Sequence, residues 1–115
     1  MSVTIYHNPK CSKSRQTLEL LSAKGITPTI IEYIKNPPTV EKLKEILFQL
    51  RVAPRELMRK KEEIYKELEL RTPSLSDKDL IDLMVEHPIL IERPIVIANG
   101  KAVLGRPPEQ VLDIL

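Results

Sequence analysis

The order of hydrophobic patterns along this 115-residue chain points to an α/β fold, a βαβ unit and a ββα unit separated by inserted helices. Two β-branched runs near the start lie on either side of a helix-length amphipathic segment, the pattern of a parallel strand pair joined by a right-handed crossover. Two later β-branched runs flank Asn99-Gly100, the strongest short hairpin signal a sequence carries, and are therefore antiparallel neighbours.

Residues 2–6 predict a short strand ended by the turn-forming His7-Asn8-Pro9-Lys10. A helix starts near Ser12, buries Ser14, Thr17, Leu18 and Leu21, and stops at Gly25, a C-terminal cap. Residues 28–34 predict the second strand. Asn36-Pro37-Pro38 interrupts the pattern, and Thr39 caps a helix whose Leu43, Ile46, Leu47 and Leu50 fall at i, i+3, i+4 and i+7. Pro54 opens another short helix, and residues 59–68, dense in charges of both signs, predict a solvated helical surface.

Ser76-Asp77-Lys78-Asp79 reads as a capping box before Leu80, Leu83 and Met84, and Pro88 closes that helix soon after His87. Residues 94–98 and 101–104 form the hairpin. Pro107-Pro108 then starts a terminal helix with Val111, Leu112 and Leu115 on its buried side. A parallel pair joined to an antiparallel hairpin, with helices packed on the sheet, is the thioredoxin-like arrangement. The expectation is one domain spanning 1–115, with a helical insertion at about 37–90 between strands 2 and 3.

Composition narrows the function classes. Only four aromatics are present (Tyr6, Tyr33, Phe48, Tyr65), too few for a base-stacking surface. Eighteen Lys and Arg against sixteen Asp and Glu leave a formal charge of +2, too balanced for a non-specific nucleic-acid binder, though compatible with a local anion pocket. One cysteine excludes an internal disulfide, and one Cys with two His excludes the usual four-ligand zinc sites. An unpaired thiol suits a reducing, cytoplasmic compartment. Residues 1–6 lack the pattern of a signal peptide, and no run approaches the ~18 apolar residues of a membrane span, so a soluble, unprocessed protein is expected.

Cys11 falls between the first strand and the first turn of the first helix, where orphan backbone N–H groups and the helix dipole favour a thiolate or an approaching oxyanion. The thiol pKa is therefore expected to be lowered. Ser14, three residues on, directs its hydroxyl back to the same helix end, while His7, Lys10, Lys13 and Arg15 supply nearby positive or donor groups. A small, inert, buried cysteine at a strand–helix junction is the competing reading. His7 could stabilise the thiolate or accept its proton, or be an ordinary solvated turn histidine. His87 continues an apolar helical stripe and reads as structural.

Spacing excludes two familiar cysteine chemistries. A dithiol centre needs Cys-x-x-Cys, and the second position is Ser14; a cysteine phosphatase loop needs Cys-x5-Arg, and that position is Thr17. Three glycines provide no P-loop. Arg93 precedes Pro94 at the start of the third strand, and Arg106 precedes Pro107 at the end of the fourth. In a thioredoxin-like sheet the first of these X-Pro bonds is often cis and lies beside the reactive cysteine, which would bring Arg93 close to Cys11. Guanidinium groups suit tetrahedral oxyanions because they bind bidentately and stay charged.

Residues 7–19 (His7-Asn8-Pro9-Lys10-Cys11 onward), then Leu57-Met58-Arg59-Lys60-Lys61, His87-Pro88 through Arg93-Pro94-Ile95-Val96, and Gly105-Arg106-Pro107 resemble the glutaredoxin-coupled arsenate reductases, or ArsC-like proteins. The chain is most similar to those reading Cys-Ser-Lys-Ser after the turn. The resemblance implies reduction of arsenate to arsenite, with Cys11 forming a thiol–arsenate adduct, His7 and Ser14 aiding its ionisation, and Arg59, Arg93 and Arg106 holding the oxyanion. It also implies glutathione as co-substrate, glutaredoxin as recycling partner and no bound cofactor, metal, nucleic acid or membrane. Two alternatives share the fold: a regulator of the Spx type that docks on RNA polymerase, whose redox switch would need the missing second cysteine, and a monothiol glutaredoxin-like oxidoreductase, for which three oxyanion arginines are unnecessary.

Overall fold

The computed structural model describes residues 2–115, and they divide into two compact units, residues 2–36 with 93–115, and Pro37–Glu92. In the first unit β1 (Val3–His7), α1 (Ser12–Ala23) and β2 (Thr29–Glu32) form the βαβ half, and β3 (Ile95–Ala98) with β4 (Lys101–Leu104) forms the hairpin. The sheet order is β2-β1-β3-β4, with β1 parallel to β2 and antiparallel to β3. This is the thioredoxin-like arrangement, with helices occupying the chain between β2 and β3.

Alternation along the strands separates the two faces of the sheet. Val3 and Ile5 of β1 with Val96 and Ala98 of β3 build the core with Leu21 of α1, Val111 and Ile114. Burying each of these aliphatic side chains contributes about 1.5–3 kcal/mol for the larger ones. Tyr6 and Ile95, cross-strand partners, are buried on the other face.

Caps expected from the sequence are in place. Gly25 takes φ +75 just past α1, and its N–H donates to Ser22 O at 2.9 Å. Asn99 and Gly100 both have positive φ (55° and 73°), as a two-residue hairpin turn of the I′ type demands.

Three boundaries differ from the sequence expectation. The first strand runs to His7, because His7 still pairs with Glu32 in the parallel register and the chain turns only at Asn8. The second strand covers Thr29–Glu32 and not 28–34, since the N–H groups of Lys35 and Asn36 both fold back to Glu32 O at 3.0 Å. The terminal helix is 3₁₀, over Pro108–Ile114, so it buries Pro108, Val111 and Ile114 at a spacing of three, while Leu112 is exposed.

In the second unit α2 (Val40–Leu50) buries Leu43, Ile46 and Leu47, leaving Leu50 half-buried. Thr39 caps it, its hydroxyl accepting the Lys42 N–H at 3.1 Å. α5 (Asp77–Glu86) begins with a complete capping box: Ser76 Oγ accepts the Asp79 N–H at 3.1 Å, and Asp79 Oδ2 accepts the Ser76 N–H at 3.0 Å. It packs on α2 and on α3 (Pro54–Leu57).

The charge-dense run is less helical than expected, with only α4 (Glu63–Glu67) forming there. Its start is drawn into an extended pairing, Met58 bridging Ile91 and the Arg59 N–H donating to Leu90 O at 2.7 Å. Tyr65 is buried within it, its hydroxyl accepting from Arg55, which also donates to Leu70 O and Thr72 O. His87 ends α5, half-buried, with its ring 3.8 Å from the Glu86 carboxylate. Among the described residues no helix is long and apolar enough to cross a membrane.

Candidate active site

The turn between β1 and α1 is short because its backbone closes on itself: the Cys11 N–H donates to Asn8 O, and the Lys10 N–H to the Asn8 side-chain Oδ1, both at 3.0 Å. Asn before Pro is a turn former with its own acceptor, and here that acceptor is used. Cys11 then occupies the N-cap position of α1 with extended backbone angles, and its side chain is buried.

Burial alone pushes the Cys11 thiol up. The opposing influences are larger: the Ser14 backbone N–H, the positive charge of Arg93, the Lys13 backbone N–H and the Arg106 guanidinium together bring the thiol below its ordinary value. The helix-start and arginine contributions expected from the sequence thus both act on this sulfur.

Arg93 and Arg106 come together through the hairpin. Ile95 pairs with Leu104, the Gly105 N–H donates to Pro94 O at 2.9 Å, and Arg106 Nη1 donates to Arg93 O at 3.0 Å. The same Nη1 approaches Cys11 Sγ at 4.0 Å. Both Arg93–Pro94 and Arg106–Pro107 are cis, the first as expected. Gly105 passes so close to α1 that a Cβ there would collide with the Thr17 side chain and lie 2.8 Å from Pro94 Cγ.

His7 is no solvated turn residue. As the last residue of β1 it shares a face with Val3 and Ile5, the face that α1 covers, and it is 6% exposed. A 2.6 Å hydrogen bond joins His7 Nδ1 and Ser14 Oγ, and the same hydroxyl oxygen accepts the Asn8 N–H at 3.0 Å. Burial holds the imidazole below the usual histidine value; the Glu32 carboxylate opposes this and Arg15 reinforces it. Burial thus favours the uncharged ring. Its link to the cysteine runs through Ser14, the residue whose backbone N–H also faces the thiol.

Cys11, His7, Ser14, Arg93 and Arg106 all belong to the first unit, and Arg59 belongs to the second. There the Arg59 guanidinium lies 3.3 Å from the Glu62 carboxylate and donates to Ile89 O at 3.5 Å. Arg15, one of the nearby positive or donor groups expected from the sequence, donates from its guanidinium to Pro9 O at 2.8 Å. Thr17, placed only on the buried face, has its hydroxyl on Lys13 O at 2.8 Å and Gly105 O at 3.5 Å. Among the described residues no cluster of three or more His, Cys, Asp or Glu could hold a metal ion.

Known proteins resemble this chain along its whole length. The chain is 59% identical to an arsenate reductase from Vibrio cholerae of solved structure, with a TM-score of 0.98 over 100% of this chain and 98% of that one. It is 52% identical to an arsenate reductase of Haemophilus influenzae, both chains being covered in full. It is also 54% identical to the uncharacterized protein YfgD of Escherichia coli K12, over 98% of this chain and 96% of that protein. With residues 6–114 matching the family's sequence profile, the chain is a member of the ArsC family.

Proposed function

We propose that this protein is an arsenate reductase that converts arsenate to arsenite at Cys11. The observation that carries this reading is a thiol held below its ordinary pKa, with the Arg106 guanidinium 4.0 Å from Sγ and the charge of Arg93 acting on the same atom. Such a site draws in a small tetrahedral oxyanion and presents it to a nucleophile. The arsenate reductase relatives support the choice of arsenic over other oxyanions.

Cys11 Sγ attacks the arsenic, a sulfur–arsenic bond forms, and an arsenate oxygen leaves as water after protonation. Arg93 and Arg106 stabilise the charge on the remaining oxygens, and the family resemblance supports Arg59 as a third guanidinium. His7 holds the Ser14 side chain, and the Ser14 backbone N–H helps keep the thiol ionised. Glutathione then attacks Cys11 Sγ, so that the electron pair of the sulfur–arsenic bond stays on arsenic, which departs as arsenite. The two thiols have supplied the two electrons and are joined in a mixed disulfide. Glutaredoxin attacks the glutathione sulfur and returns Cys11 as a thiolate. With one cysteine in the chain, the second reducing thiol has to come from outside, which supports glutathione as co-substrate and a reducing, cytoplasmic site of action.

The test supplies arsenate, glutathione, glutaredoxin, glutathione reductase and NADPH to wild type and to Cys11→Ser. NADPH consumption should require both arsenate and Cys11. Consumption that depends on neither overturns the proposal.

A further inference from the structure

We propose that Arg15 is a positioning residue which holds the Cys11 turn in place, and that it is not a further ligand of the oxyanion. The inference deepens the arsenate reductase reading and rests on it for its kinetic readout, while its thiol readout is independent of arsenate.

The turn at residues 8–11 has to deliver a sulfur atom to the N–H groups of Lys13 and Ser14, which act only at hydrogen-bond distance. Two internal bonds, both accepted by Asn8, tie down Lys10 and Cys11. Pro9 has no N–H to contribute. Its carbonyl is taken instead by Arg15 Nη1 at 2.8 Å, across six residues of chain. The Arg15 backbone N–H meanwhile donates to Cys11 O at 3.0 Å, as the first hydrogen bond of α1. One residue therefore grips the chain at Pro9 and again at Cys11 itself.

The contrast with the other arginines is geometric. Arg106 reaches Sγ and Arg93 acts on it through charge, whereas the Arg15 guanidinium is directed at a backbone carbonyl and its field falls on His7. Arg15 is exposed, and its replacement leaves no cavity. Its loss should therefore be felt in the placement of the thiol and not in the core.

Arg15→Ala, Arg15→Lys and Arg15→Gln are compared by thermal melting, by iodoacetamide alkylation against pH, and by kcat and KM for arsenate. Arg15→Ala should melt like wild type, move the alkylation midpoint up by about 0.5–1 pH unit, and lower kcat about tenfold with KM within about twofold. Arg15→Lys and Arg15→Gln, which keep an N–H donor with and without charge, should recover most of the midpoint. An unchanged midpoint in a folded Arg15→Ala overturns the proposal, as does a midpoint in Arg15→Gln no better than in Arg15→Ala. A raised KM with unchanged kcat would make Arg15 a substrate ligand and also overturn it. Should Arg15→Ala fail to fold, the Lys and Gln variants carry the comparison. A wild type that shows the thiol shift but no arsenate turnover would remove the arsenate reading and leave the role of Arg15 standing.

Discussion

At the N-cap of a helix a cysteine is a poor structural choice: sulfur is a weak acceptor, and the neutral Cys11 thiol makes no side-chain capping bond to the N–H groups of α1 that face it. Serine at that position would accept from N–H groups that now face the thiolate. Cys11→Ser should therefore be inactive yet at least as stable as wild type, by up to about 1 kcal/mol, as read by urea denaturation. A loss of stability would mean that the sulfur is wanted for packing. The arginines divide differently. Arg106 is exposed and reaches the sulfur, and Arg93 is half-buried. Arg93→Ala and Arg106→Ala should each weaken arsenate or sulfate binding by about 2 kcal/mol, roughly 30-fold, with stability nearly unchanged. Calorimetric titration with unaltered affinity in both variants would remove them from the site. Cys11, Ser14, Arg93 and Arg106 were legible as neighbours because each is pinned to the start or end of a strand or helix. The His7–Ser14 bond was not, since it depends on β1 being one residue longer than its β-branched run. Arg59 could be named only through the family resemblance.

At the scale of elements, local signals carried furthest. The Ser76–Asp79 box, the Thr39 cap and the Asn99-Gly100 turn each need only residues within three positions of one another, and all three formed. Ser76→Ala should cost about 1 kcal/mol, seen as a lower denaturation midpoint. Gly100→Ala should cost a similar amount, about 1 kcal/mol, although no atom lies within 4 Å of the added Cβ. That cost is purely one of backbone conformation, and an unchanged midpoint would show that the hairpin can adopt another turn. The terminal segment departs from its expected buried side for a physical reason. Its apolar residues at 108, 111, 112, 114 and 115 satisfy a period of 3 as well as one of 3.6, and packing beneath the sheet selects the tighter helix. The start of the charge-dense run likewise has no local signal for the Met58–Ile91 bridge, whose partners lie far apart in sequence.

For the molecule as a whole, buried His7 links folding to pH. Its folded-state pKa is lowered, so above about 6.5 the ring is neutral in both folded and unfolded chains and the full stability is present. As the pH falls below about 6.5 the unfolded chain takes up the proton first, and stability declines until the folded pKa is reached. Urea denaturation between about pH 7.5 and pH 5 should show a steeper loss in wild type than in His7→Asn. Parallel slopes would mean that the folded protein accommodates the imidazolium.

The first unit is assembled from two segments far apart in sequence, residues 2–36 and 93–115, and this orders events during synthesis. The ribosome releases the nucleophile well before its two cations, because Cys11 lies far upstream of Arg93 and Arg106. Until Arg93 and Arg106 have emerged and β3 has paired with β1, the nascent thiol lacks both guanidinium contributions. Full reactivity is thereby withheld from the unfinished polypeptide, which is when an exposed, ionised cysteine would be most open to oxidation or adventitious alkylation.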